Sequence, residues 1–79
     1  MKPRKWTIGE LLRVTAEYLA AKEIDSPRLS SEVLLAHNLG VDRINLFLNF
    51  DKPLNDDEVS RYRNLIKRRL KREPVQYIT

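Results

Sequence analysis

Apolar residues recur at helical spacing along most of the chain, and short polar turns separate the segments that carry them. The segment from residue 27 to residue 39 is apolar around most of its circumference, which is typical of a helix with neighbours on several sides. Its apolar residues are Leu29, Val33, Leu34, Leu35, Ala36 and Leu39. Ser26, Pro27 and Gly40 suit its N-cap, its first turn and its C-terminal end. We therefore expect a bundle built around this central helix.

Two further helices are predicted on either side of the central one. The first runs from Ile8 to Lys22 or Glu23 and begins with a capping box formed by Thr7 and Glu10. Its apolar stripe consists of Ile8, Leu11, Leu12, Thr15, Tyr18 and Leu19. A short helix from Arg43 to about Asn49 follows the central one, with Asp42 as its cap.

The last predicted helix has a second capping box, formed by Asn55 and Glu58. Its buried stripe consists of Val59, Tyr62, Ile66 and Leu70. The helix is expected to end near Glu73, because Pro74 disfavours helical geometry in the residue before it.

Residues 74–79 have a different character, since Val, Tyr, Ile and Thr favour strands. No earlier segment offers a strand for them to pair with, and a lone strand is not stable. We therefore predict an all-α fold, a small orthogonal bundle of four to five helices with extended C-terminal residues. Residues 1–73 would form the helical domain, and residues 74–79 would begin a linker to a further domain.

The composition excludes several classes of site. The chain has 79 residues, no Cys and one His, so one domain without disulfides, thiolate metal sites or a His-based zinc site is expected. No apolar run is long enough to span a bilayer, and the N-terminus lacks a secretory apolar region, so we expect a cytoplasmic domain. His37 is interpreted as a core-edge residue, because no constellation of Ser, Cys or carboxylate accompanies it.

Two groups of side chains in the predicted helices allow either a structural or a binding interpretation. Arg28 and Glu32 lie four residues apart, and a partly buried carboxylate needs a partner, so we predict an ion pair between them. Trp6 and Tyr18 could stack on bases, but aromatic residues at helical spacing usually belong to the core, and we assign them there.

The net charge is +4, and seven basic residues fall between residues 61 and 72 without an acid among them. They are Arg61, Arg63, Lys67, Arg68, Arg69, Lys71 and Arg72. Such a surface can steer a domain to RNA, DNA or an acidic protein, or it can simply be a solvated helix face. A helix–turn–helix motif is disfavoured, because residues 43–49 offer only Arg43, Asn45 and Asn49 to reach base edges.

An ordered set of short motifs resembles the N-terminal domain of the release-factor glutamine methyltransferases, the HemK/PrmC family. The set comprises Ser26-Pro27-Arg28, Glu32, Leu34-Leu35, His37, Gly40, the Asn-Phe-Asp-x-Pro-Leu turn at residues 49–54 and the closing Glu73-Pro74-Val75-Gln76-Tyr77-Ile78-Thr79. The resemblance covers essentially the whole chain.

The resemblance implies that the parent enzyme transfers a methyl group from S-adenosylmethionine to the glutamine of the Gly-Gly-Gln motif in bacterial class I peptide-chain release factors. The cofactor loop and the Asn-Pro-Pro-Tyr motif of the family's catalytic domain do not occur in these residues. No catalytic, cofactor or metal residue can therefore be assigned, and the fragment is expected to be inert alone. Its implied partners are the release factor and the missing catalytic domain.

Three hypotheses follow for the helical domain itself. The first is that it recognises and positions the release factor, with Arg61, Arg68 and Arg72 as candidate partner contacts on the last helix. The alternative is a nucleic-acid-binding domain that uses the same basic helix. The third is a structural cap that only stabilises its neighbour.

Overall fold

The computed structural model describes residues 5–73 and Ile78, and four helices follow one another along this part of the chain. They are α1 (Ile8–Ala21), α2 (Pro27–Leu39), α3 (Arg43–Leu48) and α4 (Asp56–Leu70). Within these residues, β-type pairing is limited to an isolated bridge between Thr7 and Pro53. The predicted all-α class is therefore confirmed, and α2 has the predicted bounds.

The central helix α2 packs against each of the other three helices. Leu34 and Leu35 have no exposed surface, and Ala36 is 5% exposed. Because α1, α3 and α4 all use α2 as their main neighbour, these side chains belong to the core that the helices share. The prediction that α2 lies in the middle of the bundle is confirmed.

Three side chains are more exposed than the sequence predicts. Leu29 in the first turns of α2 is 46% exposed, so the apolar circumference of that helix is open on one side. Tyr18 is also 46% exposed, and its prediction as a core residue is wrong, whereas Trp6 is half-buried against the core. His37 is exposed.

Two serines of α2 are buried, whereas the neighbouring Leu29 is exposed. Ser30 and Ser31 are 2% and 1% exposed, and the Ser31 hydroxyl donates to the Pro27 carbonyl at 2.7 Å. The Tyr62 hydroxyl of α4 donates to the Ser31 carbonyl at 3.0 Å. Burial raises the pKa of Tyr62 to about 12. This hydroxyl thus connects α4 to α2.

The helix starts confirm two capping predictions and correct two others. Both predicted capping boxes form, between Thr7 and Glu10 and between Asn55 and Glu58. Ser26 and Asp42 occupy N-cap positions, but neither side chain makes a capping hydrogen bond. The backbone of Ser26 is left-handed, with φ 49° and ψ 58°, which differs from the extended geometry of an ordinary N-cap.

The turn at residues 49–54 completes the start of α1. The first amides of a helix have no partner within the helix. Here the Ile8 amide donates to the Lys52 carbonyl at 3.1 Å, and the Gly9 amide donates to the Phe50 carbonyl at 2.9 Å. A Cβ atom on Gly9 would lie 3.2 Å from Cγ of Phe50, so the missing side chain permits this close approach.

The C-terminal end of α4 is held by a half-buried arginine, Arg69. Its Nε donates to the Ser30 hydroxyl at 3.3 Å, and its two terminal nitrogens donate to the carbonyls of Asp25 and Glu73 at 3.4 and 3.3 Å. The helix ends at Leu70, three residues before the predicted end. The left-handed backbone of Arg72, with φ 68°, already turns the chain away from the helix axis.

The predicted extended segment falls almost entirely outside the described residues, which exclude residues 74–77 and Thr79. Ile78 is described, and its backbone is helical at the position where an extended one is expected. Its side chain is 6% exposed and belongs to the hydrophobic core.

We expect Tyr62→Phe to lower the free energy of unfolding by about 1 to 2 kcal/mol, because it leaves the buried Ser31 carbonyl without this donor. Urea denaturation followed by circular dichroism measures the change. Tyr18→Phe is the matched control, since it removes a hydroxyl from an exposed ring. An equal loss in both variants would contradict the role of the Tyr62 hydroxyl.

We expect Arg69→Met to lower the free energy of unfolding by about 1 to 2 kcal/mol, since it removes hydrogen bonds between the end of α4 and the α1–α2 connection. Arg63→Met, on an exposed position of the same helix, should change it by less than about 0.5 kcal/mol. Thermal unfolding of both variants provides the comparison, and unchanged stability of the Arg69 variant would rule out this clamp.

Candidate functional site

The exposed cations of α4 and of the two residues after it form one continuous feature, called here the basic face. Its members are Arg61, Arg63, Lys67, Arg68, Lys71 and Arg72. The first turn of α4 carries only acids, at residues 56–58, while the cations gather toward its last turns. This distribution complements the helix dipole, so part of the charge pattern stabilises α4 itself.

The first partner-contact candidate, Arg68, takes part in an ion pair within the chain. Its Nη2 donates to a carboxylate oxygen of Glu73 at 3.0 Å, and its Nε donates to the other oxygen at 3.4 Å. These contacts lower the pKa of Glu73 from its usual range. Arg68 therefore helps to hold the residue that leads the chain out of α4.

The second candidate, Arg72, bonds to the backbone of the α1–α2 connection. Its Nη1 donates to the Glu23 carbonyl at 3.1 Å. Together with Arg69, it ties the end of α4 to residues 23–25. The sequence did not indicate this anchoring, because it joins residues that lie 49 positions apart in the chain.

The third candidate, Arg61, is more available to a partner. Its side chain is exposed, and its Nε donates to the Asp57 carbonyl one turn earlier at the long distance of 3.4 Å. Such a local contact is easily exchanged for a contact with a partner. The structure thus separates Arg61 from Arg68 and Arg72, which both have contacts that hold the chain.

The predicted ion pair of Glu32 is corrected by the structure. The Glu32 carboxylate accepts a hydrogen bond from Nη2 of Arg43 at 2.8 Å, and no ion pair joins it to Arg28 among the described residues. Arg43 stands at the start of α3, which packs on α2, so tertiary packing brings it to Glu32. Glu32 and Arg43 therefore connect α2 to α3, and Arg28 remains exposed.

Helix α3 exposes most of its apolar side chains. Leu46 is completely buried, but the remaining apolar positions point outward. Exposed fractions are 63% for Ile44, 46% for Phe47, 73% for Leu48 and 43% for Phe50. Exposed apolar patches of this kind commonly mark an interaction site. The apolar content of residues 43–50 was the sequence signal for it, since one six-residue helix cannot bury all these side chains.

A groove of about 710 Å³ opens between α1, the N-terminal half of α2 and two phenylalanines at the end of α3. These are Phe47, in the last turn of α3, and Phe50, just after it. The rings of Phe47 and Phe50 lie 5.5 Å apart and form one of its walls. Ala16 and Ala20 line the groove from α1, and Pro27 lines it from α2. The cavity is therefore mainly apolar, with charged side chains at its edges.

Residues 5–73 and Ile78 contain no group of three or more His, Asp or Glu side chains that could hold a metal ion. No helix of the described residues is long and apolar enough to cross a membrane. The surface features of the described residues are the basic face, the exposed apolar side chains of residues 44–50 and the 710 Å³ groove.

Comparison with known proteins identifies the family. The model of the PrmC N-terminal domain matches residues 10–79. A release factor glutamine methyltransferase of Geobacter sulfurreducens is 52% identical over 98% of this chain and 27% of its own length. One of Chlorobaculum tepidum is 45% identical over 92% of this chain and 25% of its own length.

A relative with a different name matches the same region. A protein of Rickettsia conorii named bifunctional methyltransferase is 34% identical over 92% of this chain and 14% of its own length. No solved structure matches the chain significantly. The chain spans about a quarter of the length of the first two relatives. Because the family model covers nearly all of it, this chain belongs to the PrmC N-terminal domain family.

Proposed function

We propose that this chain is the substrate-recognition domain of an S-adenosylmethionine-dependent protein-glutamine methyltransferase. Its parent would modify the glutamine of the Gly-Gly-Gln motif in bacterial class I peptide-chain release factors. The helical domain would bind the release factor and help to position it, while a class I methyltransferase domain beyond residue 74 would carry out the transfer. The observation that carries this proposal is the family match over residues 10–79.

The surface of the domain supports a binding role. Ile44 and Leu48 are more than 60% exposed, and the groove beside Phe47 is apolar. Contacts made here, far from the reacting amide, would supply binding energy that is used to orient the glutamine. Recognition therefore needs no reactive group within the helical domain.

The methyl donor would be bound by the catalytic domain. This chain has only two glycines, Gly9 in the first turn of α1 and Gly40 at the end of α2, and neither belongs to a glycine-rich loop. We therefore assign no residue of this chain to S-adenosylmethionine. The proposed substrate also places the parent enzyme in the cytoplasm, where release factors act.

Electrostatic steering of the partner would come from the basic face. Arg61 is the best placed of the three candidates, since Arg68 and Arg72 contact Glu73 and the Glu23 carbonyl. The same intrachain contacts weaken the nucleic-acid alternative, because they occupy cations that would otherwise neutralise phosphates. We retain Arg68 and Arg72 as secondary contributors to the long-range field.

In a full-length enzyme that carries this domain, deletion of residues 1–73 should reduce methylation of the intact release factor at least about tenfold more than methylation of a short Gly-Gly-Gln peptide. The intact factor loses a second contact area, whereas the peptide never reaches it. Transfer of labelled methyl groups to each substrate measures the two rates.

Equal losses on both substrates would contradict the recognition role. If they came with a lower melting temperature of the catalytic domain, they would favour a structural cap. A mixture of separately purified helical and catalytic domains controls for effects of the new N-terminus.

We expect Arg61→Glu to lower the association rate of the domain with the release factor about two- to fivefold at low salt and to reduce the salt dependence of that rate. Lys52→Glu in the turn before α4 is the control with the same charge change. Stopped-flow fluorescence at several ionic strengths provides the rates. If the two variants behave alike, the effect arises from net charge and not from the position of Arg61.

A further inference from the structure

A second groove, of about 290 Å³, lies between α1 and α4 and is called here the α1–α4 groove. Val14 and Tyr18 line it from α1, Arg63 and Lys67 line it from α4, and Tyr62 lies at its floor. The groove exists because α1 and α4 each pack on α2 and have few contacts with each other.

The α1 side of this groove is apolar and exposed. Val14 is 37% exposed and Tyr18 is 46% exposed, and the two residues are one helical turn apart. Half-buried Trp6 lines the groove at the start of the same helix. These side chains form a strip that can accept apolar side chains from another chain.

The α4 side carries charge of a single sign. Arg63 and Lys67 are exposed and one turn apart, and neither has an ion-pair partner among the described residues. At the end of α1, outside the described lining of the groove, the Lys22 ammonium lies 5.7 Å from the centre of the Tyr18 ring.

No acidic side chain offsets these cations within the described lining of the α1–α4 groove. The two acids of α1, Glu10 and Glu17, lie within one turn of Val14 but line the 710 Å³ groove on the neighbouring face of the helix. The α1–α4 groove is therefore an apolar strip beside a basic edge. Its chemistry is complementary to a segment with apolar residues on one face and carboxylates beside them.

From this complementarity we propose that the α1–α4 groove binds an acidic amphipathic segment of a protein partner, with its apolar side chains over Val14 and Tyr18 and its carboxylates against Arg63 and Lys67. The inference rests on the proposed function in taking a class I release factor as that partner. A protein segment is favoured over RNA because the exposed strip includes an aliphatic side chain and a single well-exposed ring, whereas RNA binding uses successive stacking platforms.

The test uses the isotopically labelled 79-residue chain in nuclear magnetic resonance titrations. One probe is the intact class I release factor, and another is a synthetic helical peptide of about 16 residues with leucines on one face and glutamates beside them. The largest shifts are expected at Val14, Tyr18, Arg63 and Lys67. A peptide with lysine in place of each glutamate should bind at least about tenfold more weakly.

The charge-reversal variant Arg63→Glu/Lys67→Glu should weaken binding of the release factor and of the acidic peptide about tenfold. The control is Lys5→Glu/Lys52→Glu, which has the same net charge but changes no residue described as lining either groove, and its affinity should change less than about twofold. Tyr18→Ala should weaken binding about fivefold and Tyr18→Phe should restore it, because the ring face supplies the contact. Circular dichroism verifies folding, and Arg63→Gln/Lys67→Gln replaces the reversal variant if that one fails to fold.

The outcomes separate this inference from the proposed function. The release factor could bind with resonance shifts outside the groove, or with equal losses of affinity in both charge variants. Either result would overturn the groove as the docking site and leave the recognition role of the domain intact. Acidic peptide that binds in the groove without any binding of release factor supports the groove and contradicts the proposed partner.

Three other outcomes also overturn the groove as a docking site for an acidic protein segment. The first is that neither the release factor nor the acidic peptide binds. The second is that a single-stranded RNA shifts the same resonances at lower concentration than the acidic peptide. The third is a concentration-dependent dimer, found by sedimentation of the wild-type chain and lost in the charge-reversal variant, which would assign the groove to a second copy.

Discussion

Burial of Leu34 and Leu35 in α2 is the contact on which the rest of the fold depends. Neither side chain has any exposed surface, and α1, α3 and α4 pack around the helix that carries them. Each of these three helices has α2 as its main neighbour, so the helices share one core among the described residues. The same arrangement explains the grooves, because outer helices that pack on a common centre leave seams between one another.

Polar atoms on α2 determine how the outer helices are placed around this core. Ser31, Ser30 and Glu32 are buried, and each has a partner from another helix or its end: Tyr62, Arg69 and Arg43 in that order. A buried polar group without a partner is costly, so a rotation of any outer helix would cost these hydrogen bonds as well as apolar contact. Apolar packing thus explains why the bundle forms, and these hydrogen bonds favour one arrangement of it.

The features that the sequence predicted well depend on neighbouring residues. Pro27 and Gly40 mark the ends of α2 because a fixed φ and a left-handed residue are local requirements. The partner of Glu32 was missed because Arg28 is its neighbour on the same helix, whereas Arg43 reaches it only after the chain has turned into α3. The exposure of Tyr18 was missed for a related reason, since helical spacing does not reveal that α4 stays away from that side of α1.

The cations of α4 illustrate why a count of basic residues is a poor measure of a binding surface. Near the end of the helix, Arg68, Arg69 and Arg72 bond to Glu73 and to the α1–α2 connection, where they fix the path of the chain. In the middle of the helix, Arg63 and Lys67 stand beside exposed apolar surface. Charged side chains beside apolar surface can orient a partner while the apolar surface is buried against it. Charged side chains alone act mainly on the association rate. A partner should therefore contact the middle of α4, and the arginines at its end should matter most through the geometry they impose on the chain.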